Sequence, residues 1–233
     1  MDGSARYRRE PIGTHPPLAS PAYASTAKRA PRFAPVRIEQ SLSEITGPRP
    51  RIAVAPEEAD LTRWEGGAAM GERIIVAGRV LDEDNRAIAH ALIEIWQANA
   101  AGRYRHENDR HDAPLDPHFS GVGRVLTDAN GAYRFMTIKP GAYPWGNHHN
   151  AWRPQHIHLS VFGPAFATRL VTQMYFPGDP LLALDPIFNS VPDAAARSRL
   201  VAAFDLGLTQ PGYALGYRFD IVLRGRAATP AVN

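Results

Sequence analysis

The sequence predicts a mostly β protein: a β-sandwich of mixed short strands, preceded by a long irregular N-terminal arm and carrying one late helix. Three observations point there. Between Arg73 and Arg224, short segments rich in β-branched and aromatic residues recur with Gly, Asp, Asn and Pro signals between them, the pattern of sandwiches and barrels. Nine of the 21 prolines fall within residues 1–56, where they block regular ladders. A helical pattern is clear once only, late in the chain.

The arm spans residues 1–56, with prolines at 11, 16, 17, 21, 31, 35, 48, 50 and 56 and no sustained period of 2 or 3.6. It cannot build a core of its own. Its scattered apolar residues, Tyr7, Tyr23, Phe33 and Ile38, suit a segment laid over a partner surface. Residues 57–233 form the second unit, the β-domain. A helical turn is expected near Glu57–Trp64, stopped by Gly66 and Gly67. Strands are expected at Arg73–Leu81, His90–Gln97, Gly123–Thr127, Ala132–Ile138, Gln155–Phe162 and Arg169–Phe176. A last one at Tyr217–Arg224 places Tyr217, Phe219, Ile221 and Leu223 on one face. The late helix starts at Asp193 as N-cap, carries Leu200 and Phe204, and stops at Gly207. Two long connections, about residues 98–121 and 139–154, are dense in Tyr, His, Arg and Trp, and long structured loops are usually functional.

Composition removes several classes of chemistry. There is no cysteine, hence no disulfide, thiolate metal site, iron–sulfur cluster or cysteine nucleophile. A bound metal would need nitrogen and oxygen ligands, which suit a hard or borderline ion. Residues 1–51 hold nine Lys/Arg against four Asp/Glu, so the basic excess sits in the arm and the remainder is slightly acidic. That is not the basic stripe of a nucleic-acid binder. No stretch approaches a membrane span, and the charged start MDGSARYRRE lacks the apolar core of a secretory signal, so a cytoplasmic location is expected.

The sharpest local feature is His156-Ile157-His158. On a strand, residues i and i+2 share a face, so both imidazoles project together while Ile157, Leu159 and Val161 form the apolar face. Many such pairs are merely surface histidines, but the preceding loop brings Tyr143, Trp145, Trp152 and Arg153 to the same strand end. A cupin-like site would need a Glu shortly after the pair and a later His, and neither occurs. Further ligands must come from upstream: His90, His106, His111, His118, His148, His149, nearby acids, Tyr104 or Tyr143. Tyrosine binds as phenolate, which takes a highly charged ion such as Fe(III) to drive off its proton.

Three strings, GRYRHENDRHDAPLDPHFSGVGR from Gly102, IKPGAYPWGNHHNAWRPQHIHLSV from Ile138 and LVTQMYFPGDPL from Leu170, resemble the intradiol ring-cleavage dioxygenases, in the branch that opens protocatechuate. The likeness runs along nearly the whole chain, including SPAYASTAKRAPR in the arm and the ending GYRFDIVLRG. It implies non-haem Fe(III) held by Tyr104, Tyr143, His156 and His158, with a hydroxide completing the site. Two phenolates and one hydroxide would balance the ferric charge. The implied activity is O2-dependent opening of a catecholic ring between its hydroxyl-bearing carbons, with Tyr143 leaving the metal to take a substrate proton. Arg153 matches the family's active-site arginine and Gln173 a polar residue beside it. Trp145 and Ile187 match pocket walls, and Tyr23 matches a residue reaching the substrate carboxylate. The implied partner is a homologous alpha subunit that meets this chain at the active site, in a larger assembly. His148 and His149 depart from the pattern and are expected to face solvent. Two rivals are a catechol or hydroxyquinol dioxygenase, disfavoured by the absence of helical period in residues 1–56, and a transthyretin-like binding module, which would not need the four ligands.

Overall fold

The computed structural model describes residues 10–34, 36, 53–163 and 169–232. Tyr7, Ile38 and much of the arm lie outside the described residues.

Two short strands, β1 (Arg63–Trp64) and β2 (Gly67–Ala68), form a hairpin after a 3-10 turn at Pro56–Ala59. The expected helical turn is therefore shorter than its sequence pattern. Gly66 at φ 77° closes a hairpin there instead of ending a helix. The body is a sandwich of two sheets. The first has the order β10–β9–β4–β5 and is antiparallel throughout: β4 (Leu92–Trp96), β5 (Val122–Leu126), β9 (His156–Phe162) and β10 (Arg169–Tyr175). The second is centred on β3 (Arg73–Leu81), flanked by antiparallel β6 (Ala132–Ile138) and, on its other edge, by parallel β12 (Leu215–Arg218) and β13 (Ile221–Val222), with β11 (Ala203–Phe204) outside β12. A further two-residue pair, β7 (Tyr143–Pro144) and β8 (Trp152–Arg153), closes the loop before β9.

The core follows from period-2 alternation. Ile93 and Ile95 of β4 and Ile157, Leu159 and Val161 of β9 meet Ile74, Val76, Phe135 and Phe219 of the facing sheet, all essentially without solvent exposure. A second, smaller cluster gathers Tyr175, Ile187, Val191, Ala196, Leu200 and Val232 beside the end of β10.

The late helix is shorter than expected. Asp193 is its N-cap, accepting from Ala196 N at 2.6 Å, but the helix covers Ala194–Ser198 only. Tyr175 N donates to Leu200 O and Ala202 N to Tyr175 O, so the end of β10 captures the chain as a bridge. Leu200 is buried by that capture, and Phe204 pairs with Tyr217 as a strand. Likewise, the final strand keeps its expected face but breaks at Phe219–Asp220. Tyr133 Oη donates to Phe219 O, and Arg79 N donates to Asp220 Oδ1. A Cβ at Gly78 would lie 1.9 Å from Phe219 O, so only glycine admits this close passage.

The described part of the arm packs on its own chain. Asp193 N donates to Gly13 O, Ala231 N to His15 Nδ1, and Asn147 clasps the backbone at Ala22 and Ala24.

Candidate metal centre

Strand β9 presents His156 and His158 on the face opposite its apolar stripe, as period 2 requires. Two loops complete the site. Asn99 pins the first: its side chain accepts from Ala101 N and Arg103 N and donates to Pro114 O. Gly141 N of the second loop donates to Asn99 O. Gly102, at φ 79°, passes so close that a Cβ would sit 2.1 Å from Ala142 O. This contact sets Tyr104 beside Tyr143, with the rings edge to face at 5.3 Å.

Four donor atoms converge. Tyr143 Oη lies 3.2 Å from His156 Nε2, which lies 3.1 Å from His158 Nε2, which lies 3.1 Å from Tyr104 Oη. His156 Nδ1 donates to Pro154 O at 2.7 Å, which puts its proton on Nδ1 and leaves Nε2 as a lone pair aimed into the cluster. Trp96 stacks flat on His158 at 4.8 Å and fixes that ring's plane.

Burial sets the protonation. It lowers His156 well below 6.5 and His158 to about 3, helped in both by the Arg153 charge. It raises Tyr104 well above 10.0 and raises Tyr143 as well. Left alone, the four groups are therefore neutral. Two imidazole nitrogens and two phenols facing one another at about 3 Å gain most from a cation strong enough to take the phenol protons.

The donor set fits such an ion. Every donor is nitrogen or oxygen, and ligands bonded at roughly 2.0–2.1 Å to a common centre stand about 3 Å apart. Among the described residues no group of three or more His, Cys, Asp and Glu converges, so a site built here has to use the phenols.

Acid should test this burial. In the metal-free protein the folded imidazoles resist protonation, whereas the unfolded chain takes up protons near the ordinary 6.5. The unfolded state then binds more protons below that value, so stability is full above it and falls as pH drops toward about 3. Urea unfolding of metal-free protein at about pH 7.5 and about pH 4.5 should show a loss of up to ~1.4 kcal/mol per pH unit for each histidine. Equal midpoints would count against burial of the pair.

Arg153, 3% exposed, enters from β8. Its Nε donates to Asp185 Oδ1 at 3.1 Å and its Nη2 to Asp185 Oδ2 at 3.3 Å, with Gln173 Oε1 and Tyr175 Oη also within reach of Nη2. Burial opposes the guanidinium charge, but Tyr175, Asp185 and Tyr143 outweigh it and raise its pKa. Trp145 lies under the guanidinium at 5.3 Å, and Tyr23 packs against Trp145 at 5.5 Å. Ile187 is buried in the small core next to both aromatics. The structure thus brings Tyr104, Tyr143, His156, His158, Arg153 and Gln173 into one connected group, with Trp145, Tyr23 and Ile187 along its border. His148 and His149 are exposed, as expected.

Three residues escaped the sequence reading: Trp96, Tyr175 and Asp185. The only advance signal for Asp185 was Asp-Pro before a helical turn, which reads as a cap. It is one, accepting from Ile187 N and Phe188 N, but it is also the counter-ion of Arg153.

Comparisons with known proteins agree with this architecture. A family model described as "Dioxygenase" matches residues 45–225, and one described as "Protocatechuate 3,4-dioxygenase beta subunit N terminal" matches residues 7–41. The protocatechuate 3,4-dioxygenase beta chain of Burkholderia cepacia is 57% identical over 220 residues, covering 93% of each chain. The alpha chain from the same organism is 34% identical over 67% of this chain and 75% of its own. Among solved structures, 3-chlorocatechol 1,2-dioxygenase from Rhodococcus opacus 1CP shares the fold at a TM-score of 0.55 and 24% identity, covering 83% of this chain and 69% of that one. With the sandwich, the two-loop arrangement and these matches, the chain belongs to the intradiol dioxygenase family that includes the protocatechuate 3,4-dioxygenase beta chains.

Proposed function

We propose that this chain is the iron-bearing subunit of an enzyme that opens protocatechuate with O2 between its two hydroxyl-bearing carbons, giving 3-carboxy-cis,cis-muconate. The observation that carries the reading is the meeting of Tyr104 Oη, Tyr143 Oη, His156 Nε2 and His158 Nε2 within about hydrogen-bonding distance of one another. These four would hold non-haem Fe(III). When bound, ferric iron supplies a Lewis-acidic, redox-capable centre that makes a coordinated catecholate reactive toward O2.

The chain's own residues do the rest. Pro154 O locks the His156 tautomer, and such outer partners typically matter 10- to 100-fold. Tyr143, as phenolate, is the built-in base for one catechol proton. Arg153 holds a fixed positive charge beside the site and stabilises negative charge that develops on the substrate ring. Gln173, tied to Arg153 Nη2, keeps that guanidinium in place. Trp145 and Ile187 wall the pocket, and Tyr23 approaches the substrate carboxylate from the arm.

We place the catalytic domain at residues 57–233 and assign the arm of residues 1–56 to contacts with a homologous alpha subunit. The named alpha chain among the relatives supports that partner. Trp152, 40% exposed at the site's border, offers such a partner an apolar contact. No helix among the described residues is long and apolar enough to cross a membrane, and we assign the enzyme to the cytoplasm.

A visible spectrum of the protein, purified with its alpha partner, tests this. The expected result is a red-brown phenolate-to-Fe(III) band that shifts on anaerobic addition of protocatechuate and disappears with activity when the iron is removed. A protein that stays colourless after ferric iron and an alpha subunit are supplied would overturn the reading.

A further inference from the structure

Among the described residues, the most completely buried carboxylate lies outside the four-donor cluster. Asp185 has no solvent exposure and Arg153 almost none. Taking both charges out of water is costly and is tolerated only with good geometry and further hydrogen bonds. Here the geometry is a side-on fork: the two carboxylate oxygens face Nε and Nη2 of one guanidinium edge. The remaining capacity on that edge is taken by Tyr175 and Gln173. Tyr175 Oη lies 3.1 Å from Arg153 Nη2, 2.9 Å from Gln173 Oε1 and 3.1 Å from Asp185 Oδ2. Tyr175 itself has no exposure and its ring packs against His156 at 5.7 Å.

Both residues sit on elements that cannot drift. Tyr175 ends β10, paired with His156 across the ladder and held by the bridge to Val201. Asp185 caps the short helix Pro186–Asn189, which carries Ile187. The same carboxylate thus ties the guanidinium to the short helix that carries Ile187. A guanidinium that merely closed a strand end would not need three partner residues on Nε and Nη2.

We infer that Asp185 and Tyr175 are positioning residues: they hold one edge of Arg153 rigidly so that the opposite amino group is presented to the bound substrate. This rests on the dioxygenase reading above, and it assigns to two residues outside the donor cluster a share of the rate.

The test uses the complete alpha–beta enzyme with three variants, Asp185→Asn, Tyr175→Phe and Arg153→Gln, and the double variant Asp185→Asn/Arg153→Gln. Iron content and the resting visible band are measured beside kcat and KM. The expected result is wild-type iron and colour in Asp185→Asn and Tyr175→Phe, kcat lowered roughly 10- to 100-fold, and KM changed less than about threefold. Because Asp185 acts through Arg153, adding Asp185→Asn to Arg153→Gln should cost less than about twofold. Should Asp185→Asn fail to fold, Tyr175→Phe, which keeps the ring and removes only the hydroxyl, decides the matter by the same readings. An iron-loaded Tyr175→Phe or Asp185→Asn enzyme with wild-type kcat overturns the proposal, as does full additivity in the double variant. A wild-type enzyme without iron colour overturns the dioxygenase reading first, and the control distinguishes that failure from the failure of the positioning role.

Discussion

Tyr104→Phe should abolish the visible band and reduce turnover by at least ~10³-fold, about 4 kcal/mol of lost transition-state stabilisation. Its hydroxyl lies 3.1 Å from His158 Nε2, and among the described residues no group of three or more His, Cys, Asp and Glu stands ready to replace it. Asp109, beside Tyr104 in the same loop, is spent on the backbone, accepting from Tyr104 N and His111 N. Without the Tyr104 phenolate, one negative charge needed to balance a ferric ion is missing from a site that burial keeps free of charge. The change is nearly isosteric, and the ring's edge-to-face contact with Tyr143 survives it. Metal-free stability should therefore fall by no more than about 0.5–1.5 kcal/mol, the worth of one hydrogen bond, so the loss is read as chemistry and not as unfolding. Iron analysis, the spectrum and product formation check this together. Wild-type colour and turnover in the variant would remove Tyr104 from the site.

Arg153→Ala should be the most damaging single change for stability, costing about 3–5 kcal/mol. The side chain is buried, and its removal leaves the Asp185 carboxylate with no solvent and no counter-charge. Asp185 keeps only neutral donors, Ile187 N and Phe188 N at 3.3 Å each and Tyr175 Oη at 3.1 Å. Tyr175 and Gln173 lose a shared donor at the same time. Trp145 loses the cation against its face, worth about 0.5–2 kcal/mol by itself. In urea the midpoint should fall with little change in slope. Pairing the change with Asp185→Asn should recover a good part of the loss, because the desolvated charge is then gone. A loss below about 1 kcal/mol would show that water reaches Asp185 and that the pair is not sealed.

Much of the fold was readable from strand signals. β6 alternates with the side-chain period, β3, β9 and β10 stand out as runs rich in β-branched and apolar residues, and each strand lies within a residue or so of its expected span. His156 and His158 were readable for the same reason, since a strand face needs no tertiary information. Tyr104 and Tyr143, the proposed ligands, could not be picked out from local pattern. A tyrosine in a loop looks the same whether or not it faces a metal, and only the likeness to a known family singled these two out. The late helix was overextended because Leu200 and Phe204 have helical spacing, while the capture of the chain by Tyr175 is a contact with a distant strand.

By itself, the sequence determined the β class, the shared face of the two histidines and the absence of thiol chemistry. Each follows from residue type or from spacing along the chain. Only the tertiary structure decided that the Gly102 and Ala142 loops touch, that β12 and β13 run parallel to β3, and that a capping aspartate is also the counter-ion of Arg153. Those depend on which remote segments close on one another. Local chemistry permits many such pairings, and the buried core and its hydrogen-bond demands select among them.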